Sequence, residues 1–140
     1  MAAVRIAVVG AGLIGRKHIE VLRAGRPEYV LAGVADPSPA AREEADKLGY
    51  PCFPSIGEMI AVMRPEGVII AVPNQLHLSA GLACIEKGLP ILIEKPVADT
   101  LADALKLIEA AEAAGVATLT GHHRRHNPLM RTAAQLIRDG

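Results

Sequence analysis

The chain has no tryptophan, one phenylalanine and two tyrosines among 140 residues. A core of this composition must be aliphatic. Half of the chain is hydrophobic, mostly Ala, Val, Leu and Ile, and that bias suits a parallel sheet covered on both faces. Cysteine is nearly absent too. Cys52 and Cys84 stand alone with no C-x-x-C, which argues against a disulfide scaffold and for a reduced, cytoplasmic setting. Charge of one sign is also missing: 15 basic and 15 acidic residues cancel, so nothing in the balance suggests a nucleic acid or an acidic membrane as partner. The apolar runs are too short to span a bilayer. Met1-Ala2-Ala3 leads straight into a strand pattern, without the basic and apolar regions of a signal peptide.

What is present is an alternation of strand and helix signals. Val4 to Val9 reads as a buried strand, Leu13 to Ala24 as a helix, and Tyr29 to Ala35 as a second strand. Ser38 caps a helix that runs to about Leu48 and stops at Gly49. Tyr50 to Phe53 is a short third strand, and Ser55-Ile56-Gly57-Glu58 has capping-box spacing. Gly67 to Val72, Ile91 to Ile93 and Val116 to Thr120 supply three more strands. Helices from Gln75 to Lys87 and from Thr100 to Gly115 alternate with them. In the second of these helices, Leu101, Leu105 and Ile108 share one face. A last helix starts at Asn127-Pro128 and runs to Asp139. Six β segments linked by helices describe an α/β, doubly wound parallel sheet of order 3-2-1-4-5-6 with helices on both faces.

The turn after the first strand carries the chemistry. Gly10, Gly12 and Gly15 fill G-x-G-x-x-G. The first allows a tight turn and the second lets backbone approach a pyrophosphate, while the third lets helix pack on sheet. Ala11, Leu13 and Ile14 complete the loop, whose free N–H groups face the phosphates at a helix N-terminus. Asp36 closes the second strand at about the 20-residue spacing of a ribose-binding carboxylate. It can accept from both ribose hydroxyls and would repel a 2′-phosphate, so NAD is expected over NADP. Arg42 lies six residues on, inside the next helix, and sequence alone does not set its reach.

Three further motifs follow strands four, five and six: Val72-Pro73-Asn74-Gln75-Leu76-His77, Glu94-Lys95-Pro96, and Gly121-His122-His123-Arg124-Arg125-His126-Asn127-Pro128. Loops at the carboxyl ends of strands form the ligand crevice of an open sheet, so all three gather on the cofactor side. With the glycine turn before them, they make the chain resemble the glucose–fructose oxidoreductase / inositol dehydrogenase / rhizopine-catabolism (Gfo/Idh/MocA) family. The resemblance covers essentially the whole chain, but only the family's N-terminal half.

That resemblance implies an NAD(P)-dependent oxidoreductase acting on a sugar, cyclitol or related secondary alcohol. It implies Lys95 as the catalytic residue beside the nicotinamide, a cis Lys95-Pro96 bond, and Glu94, Val72, Pro73, Asn74 and Arg125 around the cofactor. It also assigns residues 1–126 to a dinucleotide-binding domain and 127–140 to a helix leading into a substrate domain that the chain lacks. The family's general base comes from that domain, so the chain is expected to bind cofactor without turnover. The surface left bare is expected to favour self-association.

Alternative readings stay beside these. Asn74 is also a plausible helix cap, and His77 is either a wall of the pocket or a local hydrogen-bonding group. His18 reads as structural. His122 and His126 are four apart but precede the helix start, and Arg124 and Arg125 repel a cation, so no metal is expected. A freestanding NAD-binding sensory or scaffolding module is the competing function. An adenosyl-cofactor methyltransferase is disfavoured by Glu94-Lys95-Pro96 and by the parallel character of the sixth strand.

Overall fold

The structure, a computed structural model, describes residues 2–140. Its sheet runs β3 (Cys52–Phe53), β2 (Tyr29–Ala35), β1 (Val4–Val9), β4 (Gly67–Ile70), β5 (Ile91–Ile93) and β6 (Thr118–Thr120), in that spatial order and with every neighbour parallel. This is the expected order. Strands of period two bury alternate residues on opposite faces. Val8, Val34 and Ile69 face α1 (Leu13–Arg23) and α2 (Pro39–Leu48), where Ile19, Leu22, Ala41 and Ala45 close one core. Ala7, Val9, Val68, Ile70, Ile91 and Ile93 face the other way. There they meet α3 (Ile56–Met63), α4 (His77–Ile85) and α5 (Leu101–Ala114) through Met59, Ala80, Cys84, Leu107 and Ala111. Burial drives the Cys84 thiol pKa up to about 12.

Caps fall where side-chain chemistry puts them. Ser38, Ser55 and Thr100 each accept an N–H from the first turn of α2, α3 and α5. Three strands are shorter than expected, β3 starting at Cys52 rather than Tyr50, β4 ending at Ile70 rather than Val72 and β6 starting at Thr118 rather than Val116, and both ends of the helix between β4 and β5 differ. The segment after Pro73 opens as a 3-10 turn, Asn74–Leu76, held by Leu76 N–H on the Pro73 carbonyl, and the α-helix begins only at His77. At its other end α4 closes at Ile85, because Lys87 and Gly88 donate three residues back and tighten the last turn.

On α5, helical spacing set the grouping but not its direction. Leu101, Leu105 and Ile108 do share a face, but it points outward, with Leu101 77% exposed. Leu107 and Ala111 form the buried stripe instead. Leu107 packs directly over Gly81 of α4, where an added Cβ would lie 2.5 Å from its Cδ1. Beyond β6, an edge strand with Leu119 exposed, the chain makes a 3-10 turn, His123–His126, and then α6 (Pro128–Asp139). No residue of α6 is buried, and Leu129, Met130, Leu136 and Ile137 lie open. No helix among the described residues is long and apolar enough to cross a membrane.

Candidate cofactor site

The end of β1 turns at Gly10, whose φ of +94° is a conformation that side-chain-bearing residues rarely adopt. Its N–H donates to the Ala35 carbonyl at 2.9 Å, which ties the turn to the end of β2. Gly15, in the first turn of α1, backs onto that turn so closely that a Cβ would sit 1.9 Å from the Gly10 carbonyl oxygen. Gly12 is the opposite case. It is the N-cap of α1, has ordinary extended backbone, and nothing lies within 4 Å of where its Cβ would be. The first α1 bond is Arg16 N–H to the Gly12 carbonyl, so the N–H groups of Leu13, Ile14 and Gly15 precede the helical ladder. Leu13 and Ile14 themselves are exposed. A backbone cradle with an open middle glycine and free helix N–H groups fits a pyrophosphate.

Beside this turn runs a cleft of about 600 Å³. Gly10, Ala11 and Gly12 line it on one side and Asp36, Pro37 and Ser38 at one end, with Val72 and Pro73 opposite. Asp36 Oδ2 accepts the Ala11 N–H at 2.7 Å and Oδ1 the Ser38 N–H at 2.9 Å. Partial burial opposes its ionisation. Hydrogen bonds from Ser38 and from the Ala11 N–H, with the charge of Arg16 nearby, outweigh that and hold its carboxyl below the ordinary value. Arg42 does not line this cleft; its charge acts on Cys52 of β3 instead.

The other expected residues divide. His77 is 1% exposed, with Nδ1 2.8 Å from the Pro96 carbonyl oxygen and Nε2 2.9 Å from that of Val72. It bridges the loops after β4 and β5 from below and is not a cleft wall. A neutral ring donates from one nitrogen at a time, so the tautomer decides which loop it holds. Asn74 makes no side-chain cap to either helical segment. Glu94 is turned under the site: its Oε1 lies 2.8 Å from His18 Nε2, and Gly121 packs on its carboxylate. Lys95 follows it, exposed, and the Lys95-Pro96 bond is cis. Arg125 lies apart from the cofactor cleft, in a groove between the 3-10 turn and α6 that Arg124, Arg131 and Arg138 also line.

Two features were not anticipated. One is the His18–Glu94 pair, although Gly15, His18, Ile19 and Leu22 at helical spacing already put His18 on the sheet-facing side of α1. The other is Arg16, which lines the cleft and pairs with Glu44 of α2 at 2.7 Å. Its signal was its place directly after the third glycine.

The family model GFO_IDH_MocA, an oxidoreductase family with an NAD-binding Rossmann fold, matches residues 4–122. The chain belongs to that family. It is 34% identical to the rhizopine catabolism protein MocA of Rhizobium meliloti, covering 100% of this chain and 44% of that protein. Inositol 2-dehydrogenase of Corynebacterium glutamicum is 30% identical over 99% of this chain and 42% of its own length. Among solved structures, the WlbA dehydrogenase from Bordetella pertussis, in complex with NADH and UDP-GlcNAcA, superposes with a TM-score of 0.90 at 25% identity, over 99% of this chain and 40% of that one. The chain therefore spans less than half the length of these relatives. Its parallel sheet of order 3-2-1-4-5-6 is the Rossmann fold that the family model describes.

Proposed function

We propose that this chain is the cofactor half of a dehydrogenase that oxidises a secondary alcohol on a sugar, cyclitol or similar polyol. The observation that carries the reading is the joining of the glycine turn to Asp36 through the Ala11 N–H, which forms the phosphate cradle and the ribose acceptor as one unit. Gly10, Ala11, Gly12, Leu13 and Ile14 would hold the pyrophosphate. Asp36 would hold the adenosine ribose, and Val72 and Pro73 the opposite wall. When bound, NAD supplies the hydride acceptor. Lys95, exposed at the carboxyl edge after β5, would contact the reacting oxygen and, as a cation, would stabilise a developing alkoxide over the bound alcohol. His77 and Glu94 act beneath the site, fixing the loops that carry Pro96 and Gly121.

Turnover needs two more things: a base for the hydroxyl proton and a pocket that holds the carbinol carbon. A second domain would supply them, entered through α6 after residue 126, and would cover the apolar residues of α6 and β6. By itself the 140-residue chain binds NAD, self-associates through that surface, and does not oxidise substrate.

Calorimetric titration with NAD, NADP and S-adenosylmethionine tests the cofactor reading. An NADH-formation assay over cyclitols and aldoses, beside the Corynebacterium inositol 2-dehydrogenase, tests the rest, and sedimentation velocity reads the association. NAD binding without turnover is the expected result. Robust activity in this chain alone would show the site complete without a second domain.

A further inference from the structure

Arg16 and Glu44 form an ion pair at the ribose end of the cleft, and its purpose is not stability. The Arg16 side chain is 49% exposed and that of Glu44 28% exposed. Pairs of this kind contribute only about 0–1 kcal/mol to folding. What distinguishes this one is its address. Arg16 lines the same cleft wall as Asp36, Pro37 and Ser38, the stretch against which an adenosine ribose lies in the function proposed above. A guanidinium there is the group that a 2′-phosphate seeks, because its planar fork matches phosphate oxygens. Glu44 reaches across from α2 and occupies it at 2.7 Å. Arg42, the arginine nearest to Asp36 in sequence on the α2 side, does not line the cleft.

We propose that Glu44 is a positioning residue for cofactor choice: by holding Arg16 it withholds that guanidinium from a 2′-phosphate and makes the chain select NAD over NADP. Rejection of NADP then has two layers. Asp36 repels the phosphate directly, and Glu44 denies it a partner. The inference rests on the cleft being the NAD site. It adds a determinant outside the β2 carboxylate.

The test is calorimetric titration of NAD and NADP into the wild-type chain, Glu44→Gln, Asp36→Ser, the double variant, and the double variant carrying Arg16→Met. The readout is the ratio of the two affinities, because a freed guanidinium that only raised the local potential would tighten both nucleotides through their shared pyrophosphate. Glu44→Gln is expected to raise relative NADP affinity about tenfold, the scale of one gained charge-assisted contact. The double variant should prefer NADP, and Arg16→Met should erase that gain. The NADP gain should also shrink as salt rises. An unchanged ratio in Glu44→Gln, or a gain that survives Arg16→Met, overturns the inference while leaving NAD binding intact. A wild-type chain that bound neither nucleotide would instead sink the assignment of the cleft.

Discussion

Gly12 and Gly15 are three residues apart in one motif, yet the structure gives them opposite physical jobs, and alanine substitution separates them. A Cβ on Gly15 would lie 1.9 Å from the Gly10 carbonyl oxygen, more than about 1 Å inside van der Waals contact. The obstacle is backbone, so no rotamer change relieves it. One escape opens the Gly10 turn and breaks the Gly10 N–H bond to Ala35. The other lifts α1 off the sheet and uncovers Ile19 and Leu22, now 3% and 5% exposed, each contributing about 1.5–3 kcal/mol through burial. Gly15→Ala should therefore destabilise the fold by about 3 kcal/mol or more, the upper range for overpacking. For a domain of this size that lowers the melting temperature by roughly 10 °C.

Gly12→Ala meets nothing within 4 Å and keeps an ordinary φ of −69°. Its stability should stay within about 0.5 kcal/mol of wild type, since the poorer N-cap and the stiffer unfolded chain offset one another. Its methyl instead fills the space through which a pyrophosphate approaches the backbone, so NAD affinity should fall by about tenfold or more. Thermal or urea unfolding together with NAD titration reads both quantities. Wild-type NAD affinity in Gly12→Ala would refute the cradle, and wild-type stability in Gly15→Ala would refute the helix-to-turn contact.

The depressed pKa of Asp36 sets a pH signature. A carboxylate whose folded value lies below its ordinary 3.8 adds stability above that pH, and the contribution is lost as pH falls through the folded value. Asp36→Asn should thus melt below wild type at neutral pH, with the gap closing in the acid range; a gap that persists under acid would contradict the charge-based account. At His77, phenylalanine leaves whichever carbonyl oxygen takes the ring's N–H, that of Val72 or of Pro96, without its donor, a loss of about 1–3 kcal/mol. NAD affinity should fall with it as the Val72-Pro73 wall loosens, and an unchanged melting temperature would remove the bridge from the account.

Local patterns carried the topology because each depends on neighbours a few residues apart. The continuous apolar run through Ala7, Val8 and Val9 and the caps at Ser38 and Thr100 are visible without a partner. So is the glycine turn. The position of Asp36 beside that turn was legible for the same reason, since its spacing from the turn is fixed by one βαβ unit. Tertiary pairs were not. His18 and Glu94 are 76 residues apart, and Glu44 meets Arg16 only because α1 and α2 share one face of the sheet. Helical spacing grouped Leu101, Leu105 and Ile108 correctly but could not say which face was inward. Inward lies Leu107, packed over Gly81 of another helix. The loops after β4, β5 and β6 were placed at the correct edge, but the directions of their side chains were not. Glu94 and His77 turn beneath the site, and Arg125 leaves the cofactor cleft.

In the proposed cofactor site, Asp36 would serve structure and ligand without conflict. Each oxygen already accepts one backbone N–H, Oδ2 from Ala11 and Oδ1 from Ser38. An ionised carboxylate has about four acceptor sites, so roughly two remain for ribose hydroxyls. The bonds in place fix the glycine turn and the start of α2 relative to each other before any ligand arrives, which lowers the ordering cost of binding. They also explain why replacing Asp36 alone is a poor route to NADP. Serine removes the repelling charge, but it also frees the Ala11 N–H and loosens the loop proposed to hold the pyrophosphate common to both nucleotides. Discrimination should fall and absolute affinity with it. A change at Glu44 leaves both Asp36 bonds in place, so it alters the 2′ environment while the cradle keeps its shape.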